Sequence, residues 1–193
     1  WEGNASGYPT VFQDGEIYRM YYRGHRYLID TPPLRQAQSE VVCYAESRDG
    51  VNWEKPNLGL FDFKGSKQNN IIWGGSGTHN FTPFKDGNPA AAPDARYKAL
   101  AGGTTSVNGK ERRCLDAYKS ADGIHWQLMT AAVITEGAFD SQNLAFWSET
   151  EQCYVLYFRT FTAGVANANV WQPDGLRTIS RAVSKDFVHW EDP

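Results

Sequence analysis

One short pattern, met three times at long intervals, constrains this chain more than any other feature. Ser47-Arg48-Asp49-Gly50-Val51-Asn52-Trp53 returns as Ser120-Ala121-Asp122-Gly123-Ile124-His125-Trp126, and again as Ser184-Lys185-Asp186-Phe187-Val188-His189-Trp190. The common form is Ser-x-Asp-x-x-x-Trp. Each copy is preceded by matching material. Tyr18-Arg19-Met20-Tyr21-Tyr22-Arg23, Tyr97-Lys98-Ala99-Leu100-Ala101-Gly102 and Tyr154-Val155-Leu156-Tyr157-Phe158-Arg159 correspond, and Phe12, Phe84 and Phe146 stand ahead of them. Asp14-Gly15 and Asp86-Gly87 fall between the paired segments, and Asp-Gly between apolar runs signals a hairpin. Each unit therefore reads as a four-stranded antiparallel meander ending in a short Trp-bearing strand. The expected boundaries are 1–60, 61–130 and 131–193.

Four-stranded sheets repeated about an axis form propeller blades. The expected class is all-β, with almost no helix, because no segment sustains a 3.6-residue apolar period. Composition agrees. Seven Trp, ten Tyr and ten Phe stand against two Met, and aromatic residues favour pleated, half-buried surfaces. The net charge is −3 with Lys and Arg scattered, so no clustered basic face points to a nucleic acid. No apolar run approaches the roughly 20 residues of a membrane helix. Cys43, Cys114 and Cys153 are widely spaced in apolar stretches and read as small buried hydrophobes.

The repeated motif is expected to be structural. Ser and Asp side chains accept backbone N–H groups and close a turn. Gly50 and Gly123 take positive φ at little cost. The Trp then folds back onto its sheet. Asp49, Asp122 and Asp186 are accordingly not expected to be catalytic.

With an aromatic Tyr-x-x-Tyr-Tyr-Arg strand ahead of Ser-x-Asp-x-x-x-Trp, the chain resembles the five-bladed propeller glycosidases of families 32 and 43 and their relatives. Sialidase boxes carry one more residue between Asp and Trp. The resemblance implies a five-bladed β-propeller of which about three blades are present. A ring cannot close with three such blades, so the chain is expected to be part of a longer one, or to be completed by a partner. The resemblance also implies a carbohydrate substrate cleaved by paired carboxylates in a central funnel, with no required cofactor, calcium as an occupant of the central channel, and a secreted or periplasmic setting. The alternatives are a non-catalytic carbohydrate-binding propeller and a protein-interaction platform. The Asp-Pro-Asn-Gly-like first-blade motif and the Arg-Asp-Pro second-blade motif are absent, so no catalytic residue transfers by direct match.

In such propellers the first strand of each blade aims its N-terminal end at the funnel. Aligned on Phe12, Phe84 and Phe146, those ends carry Tyr8, His79, Asn80, Asp140 and Gln142, with Asn143 beside them. Glycoside cleavage needs two carboxylates. Asp140 is the first candidate, because it is the one carboxylate in the aligned ends. Glu2, beside Trp1, is the second, as a general acid with a raised pKa. Glu136 is a weaker substitute. His79, Asn80, Gln142 and Asn143 are expected to bind sugar hydroxyls. Arg23 and Arg159, at equivalent second-strand positions, are expected to clamp Asp140 or an acidic sugar, or equally to form an inter-blade ion pair. Trp73 is the expected sugar platform, and the segment 164–175 the expected rim. Asn4 and Asn80 match the N-glycosylation pattern, and Asn80 is expected to point inward.

Overall fold

The computed structural model describes residues 1–30, 32–33, 35–163 and 174–191. It divides into two compact units, Trp1–Phe81 and Thr82–Pro193. The described residues contain no α-helix; one 3-10 turn, Pro93–Ala95, is present.

The first unit is one four-stranded antiparallel sheet with an appended ribbon. Its strands are β1 (Ala5–Asp14), β2 (Ile17–His25), β3 (Tyr27–Leu28), β4 (Arg35–Gln36), β5 (Val41–Ser47) and β6 (Ile71–Gly74). The sheet order is β1-β2-β5-β6, and β3 pairs with β4 alone. The expected Asp14-Gly15 hairpin forms, with Gly15 at φ 63°. The register breaks between Gly7 and Thr10, where Tyr8 lies at φ 51°. The fourth strand is not the one expected. Trp53 leads only to a single Glu46–Glu54 bridge, and the chain makes a long excursion before β6 completes the sheet. The first sheet thus runs past residue 60. Its core gathers Val41, Cys43 and Ile71 against Tyr22, Phe61 and Phe63, so the excursion returns its own aromatics to the sheet.

The second unit holds two more four-stranded sheets. One contains β7 (Thr82–Lys85), β8 (Tyr97–Val107), β9 (Lys110–Ser120) and β10 (Gln127–Ile134), in that spatial order. The other contains β11 (Leu144–Ser148), β12 (Cys153–Phe161), β13 (Arg177–Ser184) and β14 (Trp190–Glu191). β8 and β9 meet at Asn108-Gly109, both at positive φ, the arrangement that fits strand twist in a two-residue hairpin. Asp86-Gly87 does not make a hairpin; residues 86–96 form a loop before β8. The repeat alignment holds at the level of register. Phe12 faces Arg19, Phe84 faces Lys98 and Phe146 faces Val155, each one residue after the matching Tyr.

The Ser-x-Asp turns are alike in all three copies. Ser47, Ser120 and Ser184 Oγ each accept two backbone N–H groups. Asp49, Asp122 and Asp186 Oδ1 each accept two more. Hydrogen bonds to Asn52 hold the Asp49 carboxyl far below the carboxylate range. Burial acts to raise Asp122 and Asp186, but the turn N–H groups and the following His outweigh it and lower both. These carboxylates are consumed by the turn, as expected.

The third copy departs from the others in one respect. Phe187 stands where Gly50 and Gly123 stand, and it adopts their left-handed backbone at φ 69°. That conformation costs a residue with a Cβ about 1–2 kcal/mol. Phe187 is wholly buried against Phe84, Tyr154 and Trp190, and burying a Phe side chain contributes about 1.5–3 kcal/mol. Burial therefore wins. The three cysteines are buried and unpaired, and burial pushes the Cys43 and Cys114 thiols up to about 12.

Candidate functional site

In the first unit β1 begins, β2 ends and β5 begins at the same edge, because antiparallel neighbours reverse direction. Ala5 faces His25, and Gly24 faces Val41. Four ionisable side chains collect there: Arg23, His25, Glu40 and His79. Arg23 Nη1 lies 2.8 Å from His79 Nδ1 and 3.3 Å from Glu40 Oε1. Both Glu40 oxygens lie 3.1 Å from His79 Nδ1. That nitrogen cannot donate to Glu40 and accept from Arg23 at once, so one proton decides which bond forms. Tyr8 completes the group. Its left-handed backbone sets the ring 4.7 Å from the Arg23 guanidinium and edge-on to His79. Strained backbone of this kind persists where the surroundings hold it in place.

The charges are uneven in their surroundings. Burial acts to raise Glu40, but the His79 hydrogen bond and the nearby Arg23 outweigh it, and the carboxyl is held below its ordinary value. Glu40 is therefore ionised at neutral pH. His25 is 1% exposed, and burial, aided by the Arg23 charge, pushes its pKa down. Among the described residues its two ring nitrogens have no hydrogen-bond partner; Glu40 Oε1 is 3.9 Å from Nδ1. Such buried polar atoms are uncommon. Beside the group opens a cleft of about 510 Å³, lined by Gln36, Gln38, Ser39, Glu40, Gly75 and Thr78. Amides, hydroxyls and one carboxylate are the groups that bind a polyhydroxylated ligand.

Arg23 and His79, 56 residues apart, are thus brought together. Glu40 was missed. The signal was a lone carboxylate at the head of the apolar run Val41-Val42-Cys43-Tyr44, which in a meander shares an edge with Arg23. Asn80 is buried beside His79 in the chain, as expected. Trp73 stacks on Phe81 with ring centres 6.4 Å apart and donates its indole N–H to Ser76 O; one ring face is therefore occupied.

Glu2 sits in a different network. Its carboxylate accepts from the Tyr22 hydroxyl and from Lys55 Nζ at 2.9 Å. Asn70 ties Tyr22 to the Trp1 indole. Tyr22 and Arg23 are consecutive strand residues and point to opposite faces, so Glu2 and Glu40 are held from opposite sides of β2. The raised pKa expected of Glu2 is not found. Burial acts to raise it, but Tyr22 and Lys55 outweigh that and lower it.

In the second unit Asp140 pairs with Arg159, one of the partners the sequence left open for the two equivalent arginines. The Asp140 side chain is 35% exposed and that of Arg159 12%. Ala138 N–H donates to Arg159 O and pins the segment to β12. Asn143 is wholly buried and donates to Ser141 O; Gln142 is half-buried. Glu136 pairs with Arg112 at the surface, 74% exposed. The expected rim at 164–175 lies outside the described residues except for Asp174 and Gly175. Among the described residues no three His, Cys, Asp or Glu side chains gather as a cation would need. At the Glu40 group the Arg23 guanidinium opposes a cation, so these residues do not fit calcium. No described helix is long and apolar enough to cross a membrane.

No family model matches the chain. Two uncharacterized proteins of Mycobacterium tuberculosis, from strains CDC 1551 and H37Rv, are each 41% identical over 59 residues, which is 31% of this chain and 19% of theirs. Among solved structures, a glycosyl hydrolase from Bacteroides ovatus superposes on 96% of this chain with a TM-score of 0.51 and 16% identity. A second structure superposes on 97% with a TM-score of 0.53 and 16% identity. It comes from work on the GH130 family of mannoside phosphorylases, which contains glycoside hydrolases that target β-1,2 mannosidic linkages in Candida mannan. This chain spans 50% of the length of each. At this identity the likeness establishes the fold: an all-β chain of four-stranded antiparallel sheets, shared with glycoside hydrolase structures.

Proposed function

We propose that the chain is part of a glycoside-processing protein of five-bladed propeller type, contributing about three blades, and that it binds carbohydrate at the strand edge built by Arg23, Glu40 and His79. The observation that carries this reading is the contact of Arg23 and His79 with Glu40, which itself lines a cleft of amides and hydroxyls. Sugars are recognised by planar charged and amide groups that fork onto adjacent hydroxyls, with an aromatic face nearby. Tyr8 supplies that face. Ionised Glu40 suits a base or nucleophile, with His79 in hydrogen-bond contact to orient its carboxylate. Asp140, oriented by Arg159, is the candidate carboxylate of the second unit, and Glu2 stays a lesser candidate, as an ionised group.

A non-catalytic carbohydrate-binding protein is the second reading. One observation favours it: Glu2, Glu40 and Asp140 are each paired with a cation, and hydrolysis needs one carboxyl kept protonated. Hydrolysis of a panel of aryl glycosides, measured beside retention in gels containing polysaccharide, separates the two. Turnover that Glu40→Gln or Asp140→Asn abolishes supports the enzyme. Retention without turnover supports the binding protein. Neither turnover nor retention on any polymer would sink both.

A further inference from the structure

The ion pair of Arg23 and Glu40 shows the cleft only its negative end. Arg23 is packed against the Tyr8 ring, 4.7 Å from its guanidinium, and so close to Gly7 that a Cβ there would meet Nη2 at 3.3 Å. Among the described residues Glu40 lines the cleft, and no Arg, Lys or His does. The other side chains held in place there add acceptors. Thr78 is 6% exposed and spends its one O–H on Gly75 O at 3.0 Å, so its oxygen offers the cleft only lone pairs. Gln38 spends an N–H on Trp1 O at 2.6 Å. Ionised Glu40 accepts only, at about four positions, and Arg23 and His79 do not exhaust them. Gln36 and Ser39 are exposed and turn to suit either kind of partner. The fixed lining is thus rich in acceptors and carries one negative charge.

Its complement is a ligand group with many donors and a positive charge. A sugar hydroxyl offers one O–H, whereas an ammonium offers three N–H donors, and hydrogen bonds between charged partners are the stronger kind. A uronate, a sulfate or a phosphate ester would set its charge against Glu40, and like charges placed together repel. Neither arginine expected to hold an acidic sugar is free to do so: Arg23 is committed to Glu40 and Arg159 to Asp140. We propose that the cleft takes a sugar unit with a free, unacylated amino group, its ammonium set against Glu40, and that it rejects acidic sugars, an assignment that rests on the carbohydrate reading above and narrows it to one class.

Titration calorimetry of this chain with oligosaccharides of one length tests the assignment. The set holds oligomers of glucosamine, N-acetylglucosamine, mannose and galacturonate, at about pH 6, where an amine is protonated. Salt at about 0.15 M screens charges more than about 8 Å away. The glucosamine oligomer should bind at least about tenfold more tightly than its N-acetylated form, and the galacturonate oligomer most weakly. Glu40→Gln should reduce the preference to within about twofold, because the amide keeps the shape and loses the charge. Glu16→Gln, which removes an exposed carboxylate from the first hairpin turn, should leave the preference in place. Should Glu40→Gln fail to fold, titration of the unsubstituted chain at about pH 9 decides, since the preference should vanish once the amine is neutral. N-acetylation that leaves binding unchanged overturns the proposal. So does galacturonate that binds best, or a preference for the amino sugar that survives Glu40→Gln. In each of those cases the carbohydrate reading stands. If no oligomer binds, both fall.

Discussion

Two charged groups, one in each unit, use the same chemistry and are finished differently. In the second unit the Asp86 side chain is 0% exposed and that of Lys98 4%. Every polar atom there is used. Asp86 accepts from Lys98, from the Tyr154 hydroxyl at 2.7 Å and from Asn88 N–H at 2.9 Å. Lys98 also donates to Ala95 O and lies over the Tyr154 ring. In the first unit Glu40 is ionised beside a cleft, His79 is half in solvent, and the nitrogens of buried His25 have no hydrogen-bond partner among the described residues. A charged cluster that closes on itself holds a fold together. One with a shared proton and open valences beside a cleft is arranged for something else.

The largest expected effect lies on the closed side. Asp86→Ala leaves Lys98 buried without its anion and should cost about 3–5 kcal/mol, read by chemical denaturation. A loss under about 1 kcal/mol would mean that the Asp86 group is not a structural ion pair. Glu40→Gln should cost only about 1–2 kcal/mol in the same measurement, because a neutral acceptor remains for Arg23 and His79. Its effect should appear instead as at least about tenfold weaker retention in polysaccharide gels, equivalent to about 1.4 kcal/mol. If Glu40→Gln is the more destabilising of the two, the contrast is reversed.

A pH series sharpens the comparison without removing a group. His25 and Glu40 both have lowered pKa values in the fold. The unfolded chain therefore binds more protons, and stability falls as pH drops. The His25 contribution is intact above its ordinary value of 6.5 and is lost as pH falls through its lower folded value. Glu40 adds a second loss below 4.5. Urea denaturation at about pH 7 and about pH 5.5 should show the first step in the native sequence, and His25→Phe should remove it. The smallest effect is expected from Tyr8→Gly. Relief of the left-handed backbone, about 1 kcal/mol, offsets the lost Arg23 contact, so stability should move by less than about 1 kcal/mol. Carbohydrate retention should still fall. Retention that does not change would remove Tyr8 from the site.

What could be read from the residues follows the range of the interactions. The Ser-x-Asp turns were legible because every hydrogen bond in them spans two or three positions. The matching places of Arg23 and Arg159 at the ends of second strands followed from the repeat, whereas the choice of Asp140 as the partner of Arg159 came from the fold. Asp86-Gly87 misled, because Lys98 and Tyr154 draw Asp86 inward and the segment opens into a loop. The fourth strand of the first sheet misled too, since β6 lies beyond an excursion that carries no repeat signal. Glu40 escaped notice because its partners, Arg23 and His79, come from distant segments.

The sequence by itself therefore determined the repeating sheet, its turns and the residues that lie at each strand edge, because these depend on alternation, on side chains reaching their own backbone and on backbone freedom at a few positions. Only the tertiary structure decided which edge residues share a proton, which carboxylate is neutralised by which cation, and which of those carboxylates lines a cleft. Those outcomes depend on burial and on the approach of groups dozens of residues apart, where a displacement of an ångström or two makes or breaks a hydrogen bond.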